Sequence, residues 1–372
     1  MSIRTYSPPS GVALLLTTVL VAFLSLSADA FEPLPRIDPS TAGIDPVQLE
    51  RALDAMEQVH GARSVVVVRG GSLVAESHWF AAADHLHPIW SVTKSVTSTL
   101  VGIAVDRAVL PDLDVRLVDY LPPGLQPADP AKDAITLRHL LMMTSGLRWS
   151  EDLDWLPWIA SSEPARFILQ RPLIADPGDE FIYSSATSHL PSLVLTEAAG
   201  VSPLELADAF LFAPLGISDR FWEHDPQGYP FGGHGIRLRT EDLAKLGVLF
   251  LDRGQWRGRR VVSVGWVDEA VEPRFGWGSD YGPLENVDYG YLWWTAEGGG
   301  HEVFTAWGWG GQFAFCVPDL GLVVATAADG DVWDLQAERQ ETAILEVVVE
   351  QIIPAVSTDW RKPRRPAARV TP

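Results

Sequence analysis

The sequence predicts an α+β fold in which one antiparallel sheet, flanked by helices, is interrupted by an inserted and mainly helical lobe. Three observations carry this reading. A valine-rich hairpin lies near one end of the chain. Three strand-like runs and a closing helix lie near the other. Between them run helix-like stretches joined by Pro/Gly-rich connections. With 372 residues, 47% hydrophobic and 20% charged, the chain can bury a large core. Cys316 is the single cysteine, so no intrachain disulfide and no thiol cluster for zinc or iron–sulfur can form.

In chain order, residues 1–30 read as an export signal. Arg4 gives a positive start, Gly11 to Leu26 is apolar, and Ala28-Asp29-Ala30 offers small residues for cleavage before Phe31. The apolar run falls short of the roughly 20 residues that span a bilayer, so an exported protein, periplasmic or secreted, with no stable membrane anchor is expected. Asp45-Pro46 reads as an N-cap with proline at the first helical position; Leu49, Leu53, Met56 and Val59 then recur at helical spacing until Gly61. Arg63 to Arg69, the Gly70-Gly71 turn and Ser72 to Phe80 form the hairpin.

Helix-like stretches follow at Ser91 to Asp106, Thr136 to Met143, Pro191 to Ala199, Pro203 to Phe212 and Thr240 to Leu251. Strands are expected at Val303 to Trp307, Gln312 to Val317 and Gly321 to Thr326, and a closing helix at Asp334 to Ile353. One domain over 31–356 results, its α/β lobe from about 45–90 and 233–356 and its helical lobe about 91–232. Residues 357–372, with Arg361-Lys362-Pro363-Arg364-Arg365-Pro366, read as a basic, proline-rich, disordered tail.

Charge narrows the partners. Lys plus Arg number 28 against 48 Asp plus Glu, a net charge of −20, which disfavours a phosphate backbone and so nucleic acid. His85 and His87 have no third ligand at a recognisable spacing, so no metal and no cofactor are expected. His139 and His234 read as structural, although His234 follows Gly232-Gly233 and so could line a cleft.

Ser91 and Lys94, in Trp90-Ser91-Val92-Thr93-Lys94-Ser95, stand three residues apart at the start of a helix and so share a face. A serine alcohol is a poor nucleophile until a base takes its proton, and a helix N-terminus adds backbone N–H groups that can stabilise an oxyanion. Alone the pair is a weak signal, and Ser91 alone reads as an N-cap. Two further segments supply context. Phe181-Ile182-Tyr183-Ser184-Ser185 places a phenol and hydroxyls in a turn, and Gly308-Trp309-Gly310-Gly311-Gln312 precedes a strand.

In that order the three motifs resemble the serine β-lactamase and penicillin-binding-protein superfamily, with its S-x-x-K signature. Tyr-Ser-Ser stands as second motif and Trp-Gly-Gly as third. Ile135 to Leu141 with Thr144-Ser145-Gly146-Leu147, Gly235-Ile236-Arg237 with Glu241-Asp242-Leu243-Ala244, and Tyr289 to Trp294 extend the likeness to about residues 45 to 350. The chain is most similar to the class C-like branch, which includes family VIII esterases and 6-aminohexanoate-dimer hydrolase. The resemblance implies the β-lactamase/transpeptidase-like fold, Ser91 as acylated nucleophile, Lys94 as activating amine and Tyr183 as proton shuttle. It implies an oxyanion hole of the Ser91 and Gln312 amides, and Ser185, Trp309, Gly310 and Gly311 as substrate-binding residues.

Departures from the pattern shape the expected substrate. Trp309 stands where β-lactamases and transpeptidases carry a lysine for the substrate carboxylate, a charge-assisted bond worth about 1.5–3 kcal/mol. No E-x-x-L-N pattern lies between Leu147 and Tyr183, where Glu151, Glu163 and Glu180 are the only glutamates, so deacylation should rely on Tyr183 and Lys94. Both titrate near pH 10 when free, so burial and mutual pairing must bring them toward neutrality. Among 15 tryptophans, Trp155 and Trp294 are expected to wall the cleft with apolar surface. Glu151-Asp152-Leu153-Asp154 reads as a solvated acidic loop, or as a face for a cationic substrate amine. The expected function is a serine hydrolase acting on a small ester or unstrained amide. The rivals are a D-amino-acid peptidase or weak β-lactamase, and a slow binding or receptor protein on the same fold.

Overall fold

A computed structural model describes residues 32–360. The expected export signal therefore lies outside the described residues.

Eight antiparallel strands form the central sheet. The N-terminal hairpin supplies β1 (Ala62–Arg69) and β2 (Ser72–His78). Gly70 and Gly71 both take positive φ, 56° and 78°, the two-residue turn that matches strand twist. Short β3 (His87–Pro88), β4 (Phe221–Trp222) and β5 (Ile236–Leu238) make a separate three-stranded sheet, and β6 (Gln255–Trp256) pairs with β7 (Arg259–Arg260). The C-terminal half supplies β8 (Phe275–Tyr281), β9 (Leu284–Tyr289), β10 (Trp294–Gly298), β11 (His301–Gly308), β12 (Gln312–Val317) and β13 (Leu322–Ala328). The order β2-β1-β13-β12-β11-β10-β9-β8 joins the two ends of the chain in one sheet, as the sequence predicts. Strands β8 to β10 carry no clean alternation of apolar and polar residues, so the sequence does not mark them as strands.

Every residue of β12 and β13 is buried, which requires cover on both faces. Helix α1 (Pro46–Gln58) starts as expected, with the Asp45 carboxylate accepting from the amides of Val47 and Gln48. The helical region begins with α2 (Val92–Asp106), which packs between β11/β12 and the helix Leu190–Ala199. Thr240–Leu251, inside the bounds expected for the α/β lobe, packs on β1, β12 and β13, with Gly247 against the Cys316 thiol. The closing helix runs Asp334–Val347 and widens into a π turn over Val348–Ile352.

The expected tail begins at 357. Its first residues pack on the body: the buried Arg69 guanidinium donates to the Ser357 carbonyl at 2.5 Å and lies 4.6 Å from the Trp360 ring, whose indole donates to Thr41 O. The basic run from Arg361 onward lies outside the described residues.

Candidate active site

Ser91 is placed by a sharp turn. Ile89 donates its amide to Ile236 O at 3.0 Å, tying the incoming chain to β5. Trp90 then takes a left-handed φ of 47°, a conformation that costs a non-glycine residue about 1–3 kcal/mol. The chain turns there into α2 with Ser91 at the N-cap position. Its hydroxyl caps nothing, so the bland reading of Ser91 as a capping residue does not hold. Ser91 is only partly buried.

One helical turn on, Lys94 is 1% exposed. Its Nζ donates to Ser91 Oγ at 2.7 Å, Ser185 Oγ at 3.0 Å and Gly233 O at 3.0 Å, so all three donors meet neutral acceptors. Burial pulls the ammonium down from 10.5 to about 8, against a smaller upward pull from Glu151. This is the shift the chemistry requires of a base that must work near neutrality.

Tyr183 enters from the turn after Gly178, where Ile182 N donates to Met143 O at 2.8 Å. Its ring lies 4.9 Å from Lys94 Nζ and stacks on Trp294 at 5.6 Å, and its hydroxyl hydrogen-bonds Ser91. The phenol was expected to move toward neutrality like the amine. It moves the other way: burial and then Glu151 push it upward, and the bond to Ser91 does not offset them. Tyr183 is therefore a neutral phenol at ordinary pH, and Lys94 is the group poised to change charge.

The third motif forms the turn between β11 and β12. Gly308 sits so close to the segment leading into Ser91 that a Cβ there would lie 2.3 Å from Ile89 O. Gln312 is fully buried and paired with Gly308; its side chain donates to Trp309 O and Ala328 O and accepts from Ala328 N. Among the described residues, the Ser91 and Trp309 amides serve no hydrogen bond. Trp309 is the exposed member of the motif, its indole donating to Val332 O at 3.0 Å, whereas Gly310 and Gly311 are buried. Ser185 is buried and committed to Lys94, and Trp294 is buried behind Tyr183. Trp155 stands partly buried, edge-on to His234 at 4.9 Å.

One residue of the site was misread from sequence. Glu151-Asp152-Leu153-Asp154 is the first turn of the helix Glu151–Ile159, N-capped by Ser150, where acidic side chains suit the positive helix end. Asp154 is buried and ion-paired with Arg171. Glu151 Oε1 accepts from the Ser185 amide at 2.6 Å, and burial pushes this carboxyl upward against the pull of Lys94. Only Asp152 and Leu153 face solvent. The Ser150 cap ahead of three acids was the signal for a helix start; nothing local showed that it begins beside Lys94.

The Beta-lactamase family profile matches residues 47–349. The 6-aminohexanoate-dimer hydrolase of Paenarthrobacter ureafaciens is 26% identical over 223 residues, 55% of this chain and 56% of that protein. Esterase EstB of Burkholderia gladioli is 30% identical over 216 residues, 49% and 54% of the two chains. The chain thus spans about half the length of the curated relatives it matches. Among solved structures, the octameric penicillin-binding protein homologue from Pyrococcus abyssi superposes with a TM-score of 0.65 at 17% identity, covering 84% of this chain and 78% of that one. Turn, helix, buried amine and family profile agree, and the chain belongs to the Beta-lactamase family.

Proposed function

We propose that this protein is a serine hydrolase that forms an acyl-enzyme on Ser91 and passes the acyl group to water, with a small ester as the favoured substrate. The observation that carries the reading is the 2.7 Å contact between the hydroxyl of the partly buried Ser91 and a fully buried amine lowered to about 8. Neutral Lys94 takes the Ser91 proton as Oγ attacks the carbonyl carbon. The phenol of Tyr183, bonded to Ser91, carries a proton toward the leaving oxygen, and water then repeats the sequence in reverse.

The oxyanion needs two donors. The Ser91 amide supplies one. Gln312 was the expected second, but the Trp309 amide is the uncommitted one, and Gly308 beside it packs on Ile89, two residues before Ser91. Trp309 and the half-buried Trp155 offer apolar surface that suits an uncharged acyl chain, with Trp294 packed behind Tyr183. A β-lactam or peptide carboxylate would meet an indole in place of a cation.

A linear amide with a cationic end is the second reading. Glu151 favours it, as a carboxylate close enough to raise the Lys94 pKa, and the hydrolase of P. ureafaciens, a relative named for the 6-aminohexanoate dimer, points the same way. Export to the periplasm or medium belongs to the same proposal and rests on residues 1–30 alone.

A panel of p-nitrophenyl esters of rising chain length, run beside a chromogenic cephalosporin and a linear aminoacyl amide, tests the reading. Ester turnover that vanishes in Ser91→Ala is expected. Cephalosporin turnover exceeding every ester would overturn the substrate assignment.

A further inference from the structure

The third-motif turn is gripped from behind by two consecutive residues of the closing helix. Glu341 Oε1 accepts from the Gly310 amide at 2.7 Å, and Gln340 Nε2 donates to the Gly310 carbonyl at 2.5 Å and to Asp329 O at 2.8 Å. Both side chains are buried, 5% and 4% exposed. The other oxygen of Glu341 accepts from the Tyr281 hydroxyl at 2.8 Å, and the Trp307 indole also bonds this carboxyl. No cation pairs with Glu341 among the described residues; the charged group that acts on it, Glu338, is of like sign. Burying a carboxyl group without an ion pair is costly, and burial lifts this one from 4.5 to about 7. A site that keeps one, with both its oxygens spent on hydrogen bonds, keeps it for what those bonds hold.

They hold the peptide planes on both sides of Gly310. Gly310 and Gly311 lie at φ of 77° and 100°, which only glycine adopts freely, so these two residues bring no side chains of their own to fix their peptide planes. A Cβ on Gly310 would lie 2.5 Å from Asp329 O, which shows how tightly the turn is pressed against the end of β13. Trp309 is the residue between two fixed points, Gly308 packed on Ile89 and Gly310 clamped by Gln340 and Glu341.

We infer that Glu341 and Gln340 are positioning residues for the reaction at Ser91: by clamping Gly310 they aim the Trp309 amide at the developing oxyanion. The inference rests on the hydrolase reading above. Neither side chain touches the substrate. Misaiming a donor by about 1 Å can cost about 100-fold in rate, so the effect belongs in kcat.

The test compares Glu341→Gln, which keeps an oxygen for the Gly310 amide, with Glu341→Leu, which does not. With p-nitrophenyl acetate, Glu341→Leu should lose about 10- to 100-fold in kcat with KM within about threefold, and Glu341→Gln should recover most of the loss. Amide hydrogen exchange, read by mass spectrometry on peptides covering 309–312, should quicken in Glu341→Leu and return in Glu341→Gln. Wild-type kcat in a folded Glu341→Leu, equal losses in both variants, or a change in KM alone would overturn the inference. Unchanged exchange would do so even if the wild-type protein hydrolysed no ester, a result that would itself strike the hydrolase reading. Should Glu341→Leu fail to fold, Gln340→Met removes the other half of the clamp; a slower kcat at constant KM supports the inference, and an unchanged kcat refutes it.

Discussion

Two buried lysines in this protein follow the same spacing and do opposite things. Lys94 stands three residues after Ser91 and Lys245 three after Asp242, each on a helix and each shielded from solvent. Lys245 Nζ donates to the Asp242 carboxylate at 2.7 Å and to Gly216 O at 3.2 Å, an ion pair with both side chains fully buried. Lys94 meets two hydroxyls and a carbonyl, and its counter-charge, Glu151, acts without direct contact. A carboxylate at the i−3 position makes the lysine a strut between elements. An alcohol there leaves the amine uncompensated, and burial prepares it to give up its proton.

The contrast breaks most visibly on activity. Lys94→Ala should lower kcat about 1,000-fold with little change in KM, whereas Lys245→Met should keep kcat per folded molecule. Steady-state kinetics on both purified variants decide it, and near wild-type turnover in Lys94→Ala removes the amine from the mechanism. Tyr183→Phe should cost about 100-fold, since its phenol only relays a proton between groups already in contact. Loss of binding without loss of kcat would make Tyr183 a wall of the cleft and nothing more.

Stability should show the opposite ranking. Lys245→Met leaves Asp242 buried beside an apolar chain and should cost about 3–5 kcal/mol in urea unfolding, with much of it recovered by adding Asp242→Leu. Lys94→Met removes a penalised cation and should cost far less. Equal losses would mean that the two lysines play the same structural part.

The smallest effect is in pH. Folded Lys94 loses its proton near 8 and an unfolded lysine near 10.5, so between those values the unfolded chain holds more protons and stability rises with pH. Lys94→Met should flatten that slope. The same group gives kcat/KM an ascending limb near pH 8. Glu151→Gln, which deletes a charge that raises the amine, should move the limb to lower pH, and a limb that moves up would contradict the assignment.

Much of this was legible in the sequence, for reasons that can be named. Ser91, Lys94 and Tyr183 sit in short local patterns, a helix start and a proline-glycine turn, whose spacing survives folding. The hairpin and β11 to β13 read cleanly because their residues are β-branched, aromatic or small and bounded by glycine. Glu151, Gln340 and Glu341 were not legible as parts of the site because each acts through a backbone amide or carbonyl far away in the chain, and a carboxylate among solvated acids looks like any other. The direction of the Tyr183 shift was equally hidden, since it depends on how deeply the ring is buried and on the side of it that Glu151 occupies.

The most direct measurement is intact mass after incubation with a fluorophosphonate, followed by peptide mapping. One adduct per chain, located on Ser91, absent in Ser91→Ala and formed much more slowly in Lys94→Ala, is the predicted result. No labelling of the wild-type protein, or an adduct that persists when Ser91 is replaced, would contradict the account.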